Sequence, residues 1–398
     1  MSDVFSYARQ REPGQAGVLF FRFMRALYLR RALVLALALP FDLAWLAVDA
    51  CAARLRGAWP QRLLFLTAPP MAWIDRLSTS GLAWVGAPHL LLSVLRHGGL
   101  YVPASPLYLL LTAALFLPVR WQQRVGRWAV RLCTAQLRLA GIATGMLVHH
   151  SDALPFGRAV VLAARRHGLV TVCLQHGIFH SSSAIAERDG SLSDINVVRS
   201  QFDAGLIAQS APASRFLVEP DFFLPPVAPA PTPPASRCVT LLGEGWHQCD
   251  AAFSARYLDR LRGLQAELVA AGVVVVFRPH PCERKLARGF GLQHLDNGPL
   301  DACLQRSALV VGYSSTVLLE AASIGVPAAQ IDVDGIFNPG MDRDGVAVVK
   351  ATTAAELLAL AAVANAPRPA AAQLLERQSA AAQRVLDTIL GHKRPSAA

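Results

Sequence analysis

Three short motifs place chemistry-bearing side chains where an apolar run gives way to a loop. Gln175-His176-Gly177 follows the β-branched run LVTVCL. Gly177 lets the backbone turn sharply and leaves His176 at the strand exit, where an imidazole with a pKa of about 6.5 accepts a proton from an attacking hydroxyl. A loop histidine satisfying local hydrogen bonds is the plainer alternative. Arg278-Pro279-His280-Pro281 follows VVVVF. Each proline holds the residue before it extended, so Arg278 and His280 form a rigid pair of donors suited to a phosphate, or else a structural turn. Gly312-Tyr313-Ser314-Ser315-Thr316 leads into VLLEAASIG. Ser314, Ser315 and Thr316 together with free amides at a helix N-terminus make an anion site without a metal, and Ser315 also suits plain capping. Glu320, one turn into that helix, is placed to reach ribose hydroxyls or to serve as a surface charge.

A fourth motif, Gly243-Glu244-Gly245, is less specific. Gly243 permits close approach of a nucleotide. Glu244 is a base, an acceptor for a sugar hydroxyl, or a loop charge. His176 and His180 are four apart, but Gly177 lies between them and no third ligand is near, which argues against zinc. Asp332-Val333-Asp334 and Asp342-Arg343-Asp344 have the form of metal-binding acidic triplets but suit solvated loops equally well. No P-loop or GxSxG is found. No metal and no cofactor are expected.

The elements that must carry these motifs alternate strand and helix. Strands are expected at Arg62–Thr67, Gly145–His149 and Leu169–Leu174, with a helix over Phe156–His167. That order with an amphipathic crossover predicts a parallel sheet. Pro225–Ser236 reads PPVAPAPTPPAS, six prolines in twelve residues, which fits neither a sheet strand nor a helix interior and reads as a stiff linker. Beyond it come strands at Cys238–Leu242, Val273–Phe277, Ala308–Gly312 and Val326–Ile331. Helices are expected at Ala251–Ala271, Asp301–Ser307 and Thr316–Ile324, and a helical tail over Thr353–Leu390. The expected fold is α/β of GT-B type: two Rossmann-like doubly wound units facing a cleft, with an apolar helical N-terminal region. The expected divisions are a basic apolar region 1–60, an acceptor domain 61–224, the linker 225–236, a nucleotide-donor domain 237–352 and the tail 353–398.

With 398 residues, two cores are the natural prior. Hydrophobic residues at 53% and charged residues at 16% exclude a disordered chain and bring membrane contact into play. Seven scattered cysteines without CxxC spacing argue against a disulfide framework and fit a reducing compartment. The net charge of +11 lies wholly in residues 1–150, which hold 16 Lys and Arg against 5 Asp and Glu. Those basic residues sit beside apolar stretches, so an anionic membrane surface is the better partner than nucleic acid. Val18–Arg31 interleaves aromatic residues with arginines and suits a helix lying at a bilayer interface. The apolar run 32–48 is barely long enough to span and carries Pro40 and Asp42 near its middle, and a second run, Leu107–Val119, is shorter still. Peripheral attachment to the inner face of the cytoplasmic membrane is the expectation; buried core helices and a spanning anchor are the alternatives.

In order along the chain, a strand then QHG, a linker, a strand then RPHP, and a strand then YSST with LLEAASIGVP resembles three bacterial families. These are capsule polysaccharide biosynthesis proteins, the CDP-glycerol glycerophosphotransferases and, more distantly, polysialyltransferases. The resemblance covers about residues 145–350, and its most specific parts are the His-Pro and serine-pair elements. It implies GT-B architecture, a CMP- or CDP-linked donor and no metal. It places donor phosphates on His280, Ser314, Ser315 and Thr316, with His176 across the cleft as candidate base. The chain departs from it in the plain CLQHGIF, which lacks the tryptophan of the glycerophosphotransferase motif. The acidic-acidic-Gly base motif of sialyltransferases is only half present, as Arg188-Asp189-Gly190 or Gly243-Glu244-Gly245. The expected activity is transfer of a sugar or polyol phosphate to a saccharide or lipid-linked acceptor in cell-surface polysaccharide synthesis. A sugar-nucleotide 2-epimerase and a non-catalytic assembly subunit are the rival readings.

Overall fold

The computed structural model describes residues 105–139, 141–142, 145–150, 155–175, 192–209, 211–223, 238–248, 250–338, 341, 348–362 and 371–391. It also describes three strands before residue 104 and isolated positions between 4 and 51. The expected linker 225–236 and most of residues 1–60 lie outside the described residues.

The first sheet has seven parallel strands in the order β3-β2-β1-β4-β5-β6-β7. They are β1 Arg62–Leu66, β2 Leu82–Gly86, β3 Leu100–Pro103, β4 Gly145–His149, β5 Val170–Leu174, β6 Ile195–Val198 and β7 Arg215–Val218. The first six follow the dinucleotide-fold order 3-2-1-4-5-6. Described helices are α1 Ser105–Ala114, α2 Val119–Leu139, α3 Pro155–Arg166 and α4 Gln201–Ala208. Strand β5 is buried at every residue, as a strand covered by helices on both faces must be. One core, from α1, α2 and α3, includes Leu107, Leu111, Cys133, Leu137, Val160 and Val161. Burial pushes the Cys133 thiol up to about 12, which makes it an inert packing group.

The second sheet has five parallel strands ordered β12-β11-β10-β8-β9. They are β8 Cys238–Leu242, β9 Val275–Arg278, β10 Ser307–Gly312, β11 Ala328–Ile331 and β12 Val348–Ala351, with helices α5 Ala251–Ala270, α6 Leu300–Arg306, α7 Thr316–Ser323 and α8 Ala354–Ala362. Helix α5 begins where the Asp250 carboxylate accepts from the Phe253 amide at 2.9 Å, and it is stopped before Gly272 at φ +78°. The expected tail helix is two: α8 on the second sheet, then α9 Ala371–Gly391, which returns to the first. Val385 and Ile389 of α9 pack with Val148, Val172 and Phe222. Arg384 grips Glu219 with two 2.7 Å bonds, and Arg377 pairs with Asp221. That forked geometry is the strong form of an Arg–carboxylate contact.

Asp42, in the expected apolar run, is fully buried, and its carboxylate accepts the Ser105 amide of α1 at 3.0 Å. Among the described residues no helix is long and apolar enough to cross a membrane.

Candidate functional site

In the second sheet β8 comes first in the chain yet lies between β9 and β10. Connections from β8 and β10 therefore leave in opposite directions, and the crevice beyond their carboxyl ends is where such sheets bind ligands. Because every strand is parallel, the loops after β8, β9 and β10 meet at that one edge. They carry Gly243–Gly245, Pro279–Glu283 and Tyr313–Ser315.

Two carboxylates fasten these loops together. Glu244 reaches from the β8 loop to the start of α7. Its oxygens accept the amides of Tyr313 at 2.6 Å, Ser314 at 2.8 Å and Ser315 at 3.2 Å, the Ser314 hydroxyl at 2.6 Å and the Trp246 indole N–H at 3.1 Å. Burial pushes the Glu244 carboxyl above its ordinary value, against the pull of the Ser314, Tyr313 and Trp246 donors. This corrects the expected role of Glu244 as a base. A carboxylate offers about four lone-pair sites, and these donors occupy them. Glu244 is an anchor for the turn that starts α7, and Gly312 leaves room for it, since a Cβ there would come within 2.9 Å of its Oε1.

Glu283, only 2% exposed, fastens the other pair of loops. It accepts the Gly245 amide at 2.8 Å and the His280 amide at 3.0 Å. A Cβ on Gly243 would stand 2.2 Å from Glu283 Oε2 and 2.9 Å from the His280 nitrogen. Gly243 thus makes room for protein groups. Gly245, at φ +74°, adopts a backbone conformation that favours glycine. The motif reading missed Glu283; its signal was an acid three residues after His280.

The His280 side chain is exposed at this edge. Its Nδ1 faces Cys282 Sγ at 2.8 Å and the Cys282 amide at 3.4 Å. An amide only donates, so Nδ1 is assigned as the acceptor, which leaves the proton on Nε2 to donate to a ligand. Burial lowers the His280 pKa below its ordinary value; Glu283 opposes this and His247 adds to it. Ser315 caps α7, its hydroxyl accepting the Val317 amide at 3.2 Å. Ser314, Ser315 and Thr316 are all part-exposed at the helix start.

Arg278 is a second correction. Its guanidinium donates to the Gly298 carbonyl at 3.0 Å and lies 3.6 Å from Asp296. Arg278 is thus already engaged by the segment that follows β9. Glu320 does face the first sheet: it lies 3.9 Å from Arg199, directly after β6. Arg199 lies with its guanidinium 4.7 Å from the Phe223 ring centre, and its amide donates to the Gln175 side chain at 2.7 Å. Sequence reasoning missed Arg199, whose motif-free setting gave no signal. His176 and Gly177 lie outside the described residues; Gln175, buried beside Arg199, marks where that motif leaves β5. Of the acidic triplets, Asp332 pairs with Arg260 at 3.0 Å and Asp334 with Arg256 at 2.6 Å; 342–344 lie outside the described residues. Among the described residues no group of three metal-ligating side chains is gathered.

No protein-family model matches this chain, and no curated protein matches it in sequence. Solved structures do match in fold. A candidate UDP-N-acetylglucosamine 2-epimerase from Listeria monocytogenes aligns over 84% of this chain and 98% of its own at 14% identity, with a TM-score of 0.51. The S. aureus MnaA–UDP structure aligns over 83% and 96% at 13% identity, also with a TM-score of 0.51. MurG from Acinetobacter baumannii aligns over 84% and 100% at 10% identity, with a TM-score of 0.48. The chain thus shares its fold with the Listeria and S. aureus structures across most of its length.

Proposed function

We propose that this protein is a GT-B transferase that moves a sugar or polyol phosphate from a nucleotide-activated donor, CMP- or CDP-linked, to a saccharide or lipid-linked acceptor. Its setting is cell-surface polysaccharide synthesis at the inner face of the cytoplasmic membrane. The observation that carries this reading is the convergence of His280 and the Ser314–Thr316 helix start at the β8/β10 switch point, with Glu244 and Glu283 fastening the three loops. The donor's phosphate oxygens take the Nε2–H of His280, the hydroxyls of Ser315 and Thr316, and the positive end of α7. The Ser314 hydroxyl is already engaged by Glu244 and serves the turn's shape. Fixed donors stabilise the charge that gathers on the departing nucleotide without reorganising during the reaction. Glu320 reaches the ribose when it releases Arg199. His176, one residue beyond Gln175, is the proposed base on the acceptor side.

A second reading, sugar-nucleotide 2-epimerase, is favoured by the fold likeness to the Listeria structure. Product analysis separates the two. CMP-, CDP-, UDP- and GDP-linked donors are incubated with and without oligosaccharide acceptors. Acceptor-dependent release of nucleotide supports transfer. An epimerised nucleotide sugar formed without acceptor refutes transfer and establishes the epimerase.

A further inference from the structure

Helix α2 presents two unlike faces to its surroundings. Its inner face, including Gly126, Ala129, Cys133 and Leu137, is buried against the first sheet's helices. On the outer face Trp121, Trp128, Leu132 and Leu139 are exposed by 44%, 67%, 37% and 47%. Their spacings of seven, four and seven keep them on one line at 3.6 residues per turn, a stripe of about 27 Å. Beside it, about a quarter turn round the helix, runs a row of exposed arginines: Arg120, Arg124, Arg127, Arg131 and Arg138. The helix contains no Asp or Glu. The Arg124 guanidinium lies 5.0 Å from the centre of the Trp121 ring.

A surface helix ordinarily turns polar residues outward; this one exposes two tryptophans in a single row. We propose that this outer face of α2 docks on an anionic phospholipid bilayer, lying flat with the tryptophans at headgroup depth and the arginines on lipid phosphates. Tryptophan favours that interface, and basic side chains near an anionic leaflet add attraction. Self-association through this face would set arginine rows beside each other with no carboxylate on the helix to relieve them. The surface stands on the geometry of the first sheet and does not depend on the nucleotide reading.

The test uses the full chain with phosphatidylcholine vesicles, with and without phosphatidylglycerol, read by co-sedimentation. Wild type binds the anionic vesicles and leaves the neutral ones. One arginine near an anionic surface is worth about a five-fold change, so Arg124→Gln/Arg127→Gln/Arg131→Gln lowers partitioning about a hundred-fold. Trp121→Ser/Trp128→Ser lowers it about ten-fold or more. Both variants keep the wild-type thermal midpoint and nucleotide response, so failure here is distinct from failure of the donor site. Brominated chains in the anionic vesicles quench wild-type tryptophan emission, a readout that needs no variant. The proposal is overturned by wild-type partitioning in either variant or by equal binding to neutral vesicles. Unquenched emission, or a wild-type dimer dispersed by the tryptophan changes, overturns it too.

Discussion

Glu283→Ala removes the acceptor that joins two loops of the site. The carboxylate is 2% exposed and receives two backbone amides, Gly245 at 2.8 Å and His280 at 3.0 Å. Hydrogen bonds to a charged group contribute about 1.5–3 kcal/mol each, and a buried donor left without a partner costs about 1–3 kcal/mol. Two amides at the lower figure come to about 3 kcal/mol, and relief of the carboxylate's own burial offsets part, which leaves a loss of about 2 kcal/mol. Glu283→Gln keeps one acceptor oxygen but turns an NH2 toward the other amide, so it loses about half as much. Urea unfolding followed by tryptophan emission and far-ultraviolet circular dichroism measures both, with Trp246 in the adjoining turn as a local reporter. Nucleotide affinity falls in the same order, because Gly245 and His280 no longer share an anchor. Unfolding of Glu283→Ala at the wild-type urea midpoint, or a Gln variant weaker than the Ala one, would refute the reasoning.

Other consequences concern neighbouring contacts. Gly243→Ala drives a Cβ into the Glu283 carboxylate and the His280 amide, and should cost about 1–3 kcal/mol as an overpacked contact; a thermal melt checks it, and an unchanged midpoint speaks against the close approach. Arg199→Ala removes the pairing with Glu320 and the contact with Phe223, together about 1–2 kcal/mol. Calorimetry should then show the two halves unfolding in more separated steps, and one unchanged transition would count against that coupling. His280 has a folded pKa below its ordinary value, so as pH falls through about 6.5 the unfolded chain takes up a proton before the folded one does. Its contribution to stability is present above that pH and declines below it, and His280→Asn should flatten the acid slope of the thermal midpoint.

The sequence was most legible where punctuation is strong. The strands Gly145–His149 and Cys238–Leu242 stand at their expected bounds, and α5 differs from Ala251–Ala271 by one residue because Asp250 and Gly272 mark its ends. Strands β2, β3, β6, β7 and β12 were not anticipated: each is four or five residues long, and none precedes one of the motifs that drew attention to strands of similar length such as β8. The loops at this sheet edge are legible because each motif follows a strand, but the directions of their side chains are not. Arg278 is captured by Gly298, twenty residues on, and Glu244 by amides about seventy residues on; such pairings depend on sheet order rather than local spacing. Glu283 escaped because it opens the charged run Glu-Arg-Lys, which reads as solvated surface. The paired rows on α2 are hard to read in sequence because arginines and glutamines interrupt its apolar residues, whereas the runs nearer the amino terminus are far less interrupted.

The central claim is that His280 and the start of α7 hold the phosphates of a nucleotide-linked donor. Isothermal titration of CMP, CDP, UDP and GDP into wild type and His280→Ala tests it most directly. One hydrogen bond to a charged phosphate contributes about 1.5–3 kcal/mol, so the account predicts saturable cytidine-nucleotide binding that weakens about ten- to a hundred-fold in the variant. Equal affinity in the two proteins, or no heat with any nucleotide, would contradict it.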